Sequence, residues 1–407
     1  MAAAKPRLLV LNQYYWPGVE ATAHLLSQLC EALADDFDVT VVTGRLLGHD
    51  ELPAEEDRNG VRIVRVRSTA YERSELHRRA ANYVSYLFES VRTALREPKP
   101  DLVLCMTDPP IVGDIGLVVA RRFGVPLLVI SQDVFPEIAV QLERLENPVL
   151  VGLLRSLVGL YLRRADRIVA IGETMKRRLE EKGADPARIA VIPNWVDTSA
   201  IVPQPHENEW ARRRLLEGRF IVMHSGNVGH AQDLETLVRA ATFLRDLDDL
   251  QIVIVGFGAR HADTVALAKR LELGSLVRFM PYQSRGVLSE SLSSAHIHFV
   301  GLAKGLAGFI VPSRLYGILA AGRPVIVAAD GDSETARLVS ELGCGVVLPP
   351  TRPELVAMAI RDAHDGAYDL EGMGAKGRMY VELEADRGVA VARYRSLLQE
   401  LLVTGCR

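Results

Sequence analysis

Thirteen short apolar runs, rich in Val, Ile and Leu and separated by stretches of helical period, constrain this chain more than any other feature of it. Strands covered on both faces read as near-continuous apolar runs, and strand–helix alternation is the pattern of a parallel sheet with helices on its faces. In the first half the runs are Leu8–Leu11, Val39–Val42, Val61–Val66, Leu102–Cys105, Leu127–Ile130, Arg167–Ile171 and Ile189–Ile192. In the second they are Phe220–Ser225, Gln251–Val255, Val277–Met280, His296–Val300, Pro324–Ala328 and Gly345–Leu348. Helices are expected at Ala21–Ala34, Met175–Lys182, Leu234–Leu244 and Asp263–Leu271, with a helical tail at Val389–Leu402. The run Val149–Leu162 reads as an interior helix covering the sheet. A polar stretch through Pro203, Pro205, His206 and Glu207 breaks the alternation, which restarts at Phe220. The expected division is therefore two doubly wound α/β domains, 1–197 and 198–385, and a helical tail, 386–407. In such sheets ligands bind in the crevice outside the carboxyl ends of the strands, so two of them are expected to face each other across a cleft.

Composition narrows the function. A net charge of −3 over 407 residues offers no global field for nucleic acid. Cys30, Cys105, Cys344 and Cys406 form no CxxC pair, which points away from zinc and towards a reducing compartment. The first apolar run is broken at Asn12-Gln13 and reads as a strand, not a signal peptide. No apolar stretch reaches the ~20 residues that span a bilayer. The expected location is the cytoplasm, with contact at the membrane face left open. Arg65, Arg67, Arg73, His77, Arg78 and Arg79 precede Tyr83, Tyr86, Leu87 and Phe88, a basic cluster on an amphipathic helix that suits anionic headgroups or a lipid-linked diphosphate. A solvated helix face explains it equally well.

Four loops carry the chemistry. Asn12–Thr22 joins the first strand to the first helix, and its aromatic and polar side chains suit an acceptor: Tyr14, Tyr15, Gly18, Glu20 and Thr22, joined by Asp108 of Thr107-Asp108-Pro109-Pro110. Met223–Asp233 takes the same position in the second domain, where Gly226 admits a diphosphate and Asn227 and Gln232 offer neutral donors; His224 and His230 are lesser candidates. Gly256, in Gly256-Phe257-Gly258, lets a nucleoside approach the backbone, and Tyr282 joins the same nucleotide-sugar set. The third loop, Gly301–Gly317, brings Gly308, Phe309, Ile310, Val311, Ser313 and Arg314 to the start of a helix with Pro312 expected near its first turn, where unpaired N–H groups attract anions. Lys304 and Arg314 would neutralise charge there. The fourth, Ser131–Glu137, offers two carboxylates as catalytic candidates: Asp133 and Glu137 could orient a hydroxyl or stabilise charge at an anomeric carbon. Each has a plainer reading as a helix cap. Asp330-Gly331-Asp332 reads as a turn and not as a metal motif.

Taken in order, NQYYWPGVEATA, TDPP, SQDVFPE, VIPNWVD, HSGNVGHAQDLE and PSRLYGILAAGRPVI resemble glycosyltransferase family 4, over nearly the whole chain. The nearest likeness is to its bacterial fucosamine- and fucose-type subgroup of O-antigen and colanic acid synthesis. The resemblance implies a GT-B fold and a nucleoside-diphosphate sugar held mainly by the C-terminal domain. It further implies an acceptor, a glycan or lipid-linked glycan, held by the N-terminal domain, and transfer with retention, no metal and no cofactor. The chain departs from the family in three places. Asn227 and Gln232 stand where Arg and Lys are usual, Phe309 and Gly317 stand where two glutamates are usual, and Gln132 or Asp133 stands where many members have His. Lys304, Ser313 and Arg314 are the candidates for the missing charge. Two other readings remain open, a nucleotide-sugar 2-epimerase of the same fold and a non-catalytic nucleotide-sugar-binding partner. A dehydrogenase is disfavoured, because no GxGxxG-plus-acid unit is present.

Overall fold

The computed structural model describes residues 4–18, 20–49, 51–71 and 76–404, with the side chains of 76–80 excepted. The chain divides into two compact units, 1–193 with 390–407, and 194–389. The division falls at Pro193–Asn194, four residues before the expected boundary of 197. The last helix, Arg387–Thr404, is longer than the expected tail, and most of it belongs to the first unit. There Arg395 reaches the Asp36 carboxylate at 2.5 Å.

The first unit holds an eight-stranded sheet: β1 (Arg7–Leu11), β2 (Asp38–Thr43), β3 (Glu55–Arg58), β4 (Val61–Arg65), β5 (Leu102–Met106), β6 (Leu127–Ser131), β7 (Arg167–Ala170) and β8 (Ile189–Val191), in the order β3-β4-β2-β1-β5-β6-β7-β8. Every pairing is parallel except β3 on β4. The central strands β5 and β6 are buried at every residue, which is why their sequences, LVLCM and LLVIS, show no alternation. β3 is absent from the thirteen expected runs because its sequence is Glu-Glu-Asp-Arg. An edge strand needs no apolar face, and charge protects its open side. Its signal lay next door: Asn59 and Gly60 both have left-handed φ, 47° and 80°, the two-residue turn that joins antiparallel strands.

The second unit holds six parallel strands, β9 (Phe220–Ser225), β10 (Leu250–Val255), β11 (Val277–Met280), β12 (Ile297–Gly301), β13 (Val325–Ala328) and β14 (Gly345–Leu348), in the order β11-β10-β9-β12-β13-β14. Leu237, Ile252, Phe299, Val356 and Ile360 are among the residues of its core. Among the parallel strands each sheet has one reversal point, between β1 and β5 and between β9 and β12. Loops leaving neighbouring strands there run to opposite sides and leave a crevice. The expected interior helix, Pro148–Leu162, is a correction: Val149, Leu150 and Leu153 lie on its exposed side. It packs on the helix Val112–Phe123, with Val151, Val158, Tyr161 and Leu162 buried.

Candidate functional site

In the second unit the loops after four strands interlock. Gly226 N donates to Val255 O at 2.9 Å, Val228 N to Phe257 O at 3.0 Å, and Gly256 N to Met280 O at 2.9 Å. The backbones of the β9 and β10 loops touch: a Cβ on Gly256, whose φ is +130°, would lie 1.9 Å from Gly226 O. Beside it Tyr282 donates its hydroxyl to Phe257 O at 3.0 Å. The rings of Phe257 and Tyr282 stand edge to face at 6.3 Å, and both remain about half exposed. Together they present an aromatic shelf beside the glycine backbone.

The loop after β12 is pinned by Ala303 N to Ala231 O at 2.9 Å and by Gly305 N to the Asp330 carboxylate at 2.6 Å. Asp330, expected only to make its own turn, thus also fixes the β12 loop. Lys304 is exposed on this loop, flanked by a left-handed Gly305. The helix that follows is Arg314–Ala320, with Ser313 at its N-cap, so Pro312 stands beside its first turn, one residue before the cap. A helix of seven residues carries a short dipole. The expected anion site must rest on the guanidinium instead.

That guanidinium is held firmly. Arg314 Nη1 lies 3.2 Å from His224 Nδ1 and 3.3 Å from Nε2, while His224 Nε2 lies 3.3 Å from Asn227 O. Burial, and then the charge of Arg314, drive the His224 pKa well below the imidazole range, so this ring is neutral. With its Nε2 hydrogen directed at Asn227 O, its Nδ1 lone pair is left to accept from Arg314. Burial lowers the Arg314 pKa to about 10, which still leaves it charged at neutral pH. A Cβ on Gly226 would sit 3.6 Å from Arg314 Nε, so glycine keeps that side of the cation open.

Three expected contacts need correction. His224 is fully buried and supports Arg314 without reaching a ligand. Gln232 is buried and its Oε1 accepts from Gly229 N at 2.9 Å, so it braces the loop. Val311 turns its side chain into the core, leaving only its backbone to a ligand. Asn227 is exposed, while Gly308, Phe309, Ile310 and Ser313 lie on the same β12 loop as Lys304.

In the first unit the β1 and β5 loops meet at the other reversal point. Gln13 N donates to Asp108 O at 2.7 Å, and Thr22 Oγ1 lies 3.2 Å from Asp108 Oδ2. A cavity of about 220 Å3 opens beside them, lined in part by Gln13, Tyr14, Gly18, Glu20, Arg45 and Asn82. It gathers three of the expected acceptor residues. Tyr15 is a correction: it is 1% exposed and packs into the core. So is Arg65, taken up by Glu56 at 2.9 Å and Trp16 O at 3.2 Å, and so is Tyr86, whose hydroxyl reaches Val42 O inside the sheet. Arg73 lies outside the described residues.

Glu137 is also corrected. Its carboxylate meets Lys182 Nζ at 2.6 Å and Arg155 Nε at 3.0 Å. Burial alone would raise its pKa, but these cations outweigh it and the net shift is downward. A carboxylate so engaged is a tie between elements, not a proton-transfer group. Asp133 is partly exposed just after β6, beside Ser131, whose hydroxyl donates to Asp133 O at 3.1 Å. Sequence reasoning missed Asp114, in the first turn of the helix Val112–Phe123. Both its oxygens are buried without a hydrogen-bond partner, and burial pushes its pKa up to about 7. An Asp four residues after Pro110 is ordinary by spacing; only packing isolates it.

Two doubly wound parallel sheets, each reversing at one point, are the architecture of the GT-B fold. Residues 20–195 match the model described as "Glycosyl transferase 4-like domain" and residues 206–378 that of "Glycosyl transferases group 1". The chain belongs to this glycosyltransferase family, and it is a glycosyltransferase. It is 24% identical to "Probable glycosyltransferase WbjE" of Pseudomonas aeruginosa, over 97% of this chain and 98% of that one. "Putative colanic acid biosynthesis glycosyl transferase WcaI" of Escherichia coli (strain K12) is 30% identical over 50% of each chain. Among solved structures, Anabaena Alr3699/HepE in complex with UDP-glucose superposes with a TM-score of 0.73 at 15% identity, over 97% of this chain and 99% of that one, and shares the fold.

Proposed function

We propose that the chain moves a sugar from a nucleoside diphosphate to a hydroxyl of a glycan or lipid-linked glycan, in polysaccharide synthesis at the cytoplasmic face of the membrane, with retention at the anomeric carbon and no required metal. The observation that carries the reading is Arg314, fixed by His224 and opening onto Gly226. As the bond from the anomeric carbon to the diphosphate breaks, negative charge grows on the leaving oxygen. A cation already in position stabilises that charge without reorganising. Lys304 supplies a second charge from the β12 loop, and the shelf of Phe257 and Tyr282 suits the nucleoside. The acceptor lies at the β1–β5 reversal, beside Tyr14, Gly18 and Glu20, with Asp133 orienting its hydroxyl. UDP-glucose in HepE and the colanic acid role in the name of WcaI support the substrate class.

A thermal-shift panel of UDP-, GDP- and dTDP-sugars tests donor binding, since a ligand bound only by the folded chain raises the melting point. With the base identified, label transfer in the presence of a chelator tests the chemistry, and Asp133→Asn is expected to impair transfer more than donor binding. Epimerised donor formed without any acceptor would replace this reading by the isomerase.

A further inference from the structure

We infer that Arg378 is a positioning residue for the sugar transfer: it grips the last turn of the helix Arg314–Ala320 and thereby fixes Arg314 at the first. The inference rests on the reading of Arg314 as the cation that meets the diphosphate.

A helix of seven residues has too few internal hydrogen bonds to hold itself in place, so what grips its ends sets its position. At the first turn Arg314 contacts His224, which fixes one end. The last four carbonyls of a helix lack partners within it. Here Ala321 N donates to Gly317 O at 3.1 Å and Arg323 N to Ile318 O at 3.3 Å, while Gly322 N, in a left-handed turn, donates to Leu319 O at 3.0 Å. Ala320 O accepts from a side chain, Arg378 Nη1, at 2.6 Å. A cation at that place also meets the negative end of the peptide dipoles.

Arg378 comes from the helix Leu370–Glu384, whose buried residues are Gly374, Gly377 and Val381. The two glycines admit a close approach. A Cβ on Gly374 would lie 2.1 Å from Gly322 O, and one on Gly377 would lie 2.6 Å from Leu319 Cδ2. From there the planar guanidinium also donates to Ile201 O at 2.6 Å and to Thr198 O at 3.0 Å, and its Nε donates to Glu382 at 2.6 Å. Thr198 in turn donates its hydroxyl to the Asp386 carboxylate at 2.6 Å. Residues 198 and 386 lie close in sequence to the two points where the chain passes between units, Pro193–Asn194 and Val389–Ala390. One side chain, 17% exposed, thus anchors the Arg314 helix to both segments by which the chain enters and leaves the second unit.

A plain structural tie costs stability alone. A positioning tie costs turnover, and only while Arg314 is there to be positioned. Steady-state transfer by the full chain, with parallel melting curves, is compared in Arg378→Ala, Arg378→Lys, Arg314→Ala and the double variant Arg314→Ala/Arg378→Ala. In Arg378→Ala, kcat per folded molecule is expected to fall roughly tenfold with the donor KM little changed, since a misplaced group is lost mainly from the transition state. Arg378→Lys keeps the charge without the planar fork, so a fall of roughly fivefold is expected, and it completes the same cycle if the alanine variant does not fold. The double variant should turn over within about twofold of Arg314→Ala, because residues acting through one contact are not additive. Arg361→Ala removes a comparable tie, to Phe243 O and Asp246 in the same unit, and is expected to leave kcat unchanged. Parental kcat in folded Arg378 variants, or a full further loss in the double variant, would overturn the positioning role and leave Arg314 at the diphosphate. Parental kcat in Arg314→Ala would instead remove the donor reading itself, and this inference with it.

Discussion

Arg314 and His224 form a cation–imidazole contact at 3.2 Å in which the histidine is the acceptor, so a neutral, buried ring aims a charged guanidinium. The pair joins the end of β9 to the helix after β12, the two strands between which the second sheet reverses. Replacing Arg314 by alanine is expected to lower kcat by roughly a hundredfold, the cost of losing one preorganised charge contact in a transition state. Lys304→Ala should act in the same direction but less, because its side chain is exposed. Steady-state transfer with a parallel melting curve checks both; parental turnover by folded Arg314→Ala would remove it from the diphosphate site.

Gly256→Ala tests the backbone crossing of the β9 and β10 loops. The new methyl would lie 1.9 Å from Gly226 O at a φ of +130°, so the loops must part. Donor affinity is expected to fall at least tenfold, with a destabilisation of about 1–3 kcal/mol for the strained backbone. Calorimetric titration of the nucleotide reads the first and denaturant melts the second. Gly331→Ala, where a Cβ meets nothing within 4 Å, is the neutral comparison.

Glu137→Gln separates a tie from a catalyst. Its side chain and that of Lys182 are 18% and 12% exposed, and breaking such a pair leaves one charge poorly compensated. A loss of roughly 1–3 kcal/mol is expected, below the range of fully buried pairs. The turnover of molecules that remain folded should stay within about twofold. A large fall in kcat at unchanged stability would restore Glu137 as a catalytic group.

Asp114 predicts a pH dependence. Its folded pKa, about 7, lies above the ordinary carboxylate value, so the folded chain holds a proton that the unfolded chain releases. The stability this contributes is complete below about pH 4 and is lost as pH rises towards 7. Asp114→Asn abolishes that loss. Its melting point relative to the parent is therefore expected to climb between pH 5 and pH 8. A difference that stays flat across that interval would mean the carboxyl is not desolvated.

Much of this protein was legible before any coordinates. The apolar runs located every parallel strand, because a strand covered on both faces must be apolar throughout, and the glycine-punctuated loops after β9 and β12 stood out for the same local reasons. β3 escaped because an edge strand need not be apolar. Tyr15, Glu137 and Gln232 looked like ligand contacts because they are polar or aromatic residues in the correct loops, yet each is consumed by packing or pairing inside its own unit. Asp114 escaped for the opposite reason, since nothing local marks a carboxylate that packing strips of partners.

Sequence by itself thus determined the two doubly wound sheets, the loops at their carboxyl ends and the family, all consequences of local periodicity and short motifs. Tertiary structure alone decided which of those loop residues remain available: that Arg314 leans on His224, that Gly256 and Gly226 leave no room for a side chain, and that Glu137 is neutralised by Lys182. The physical reason is that burial, charge compensation and close backbone approach depend on residues far apart in the chain, and no local pattern records them.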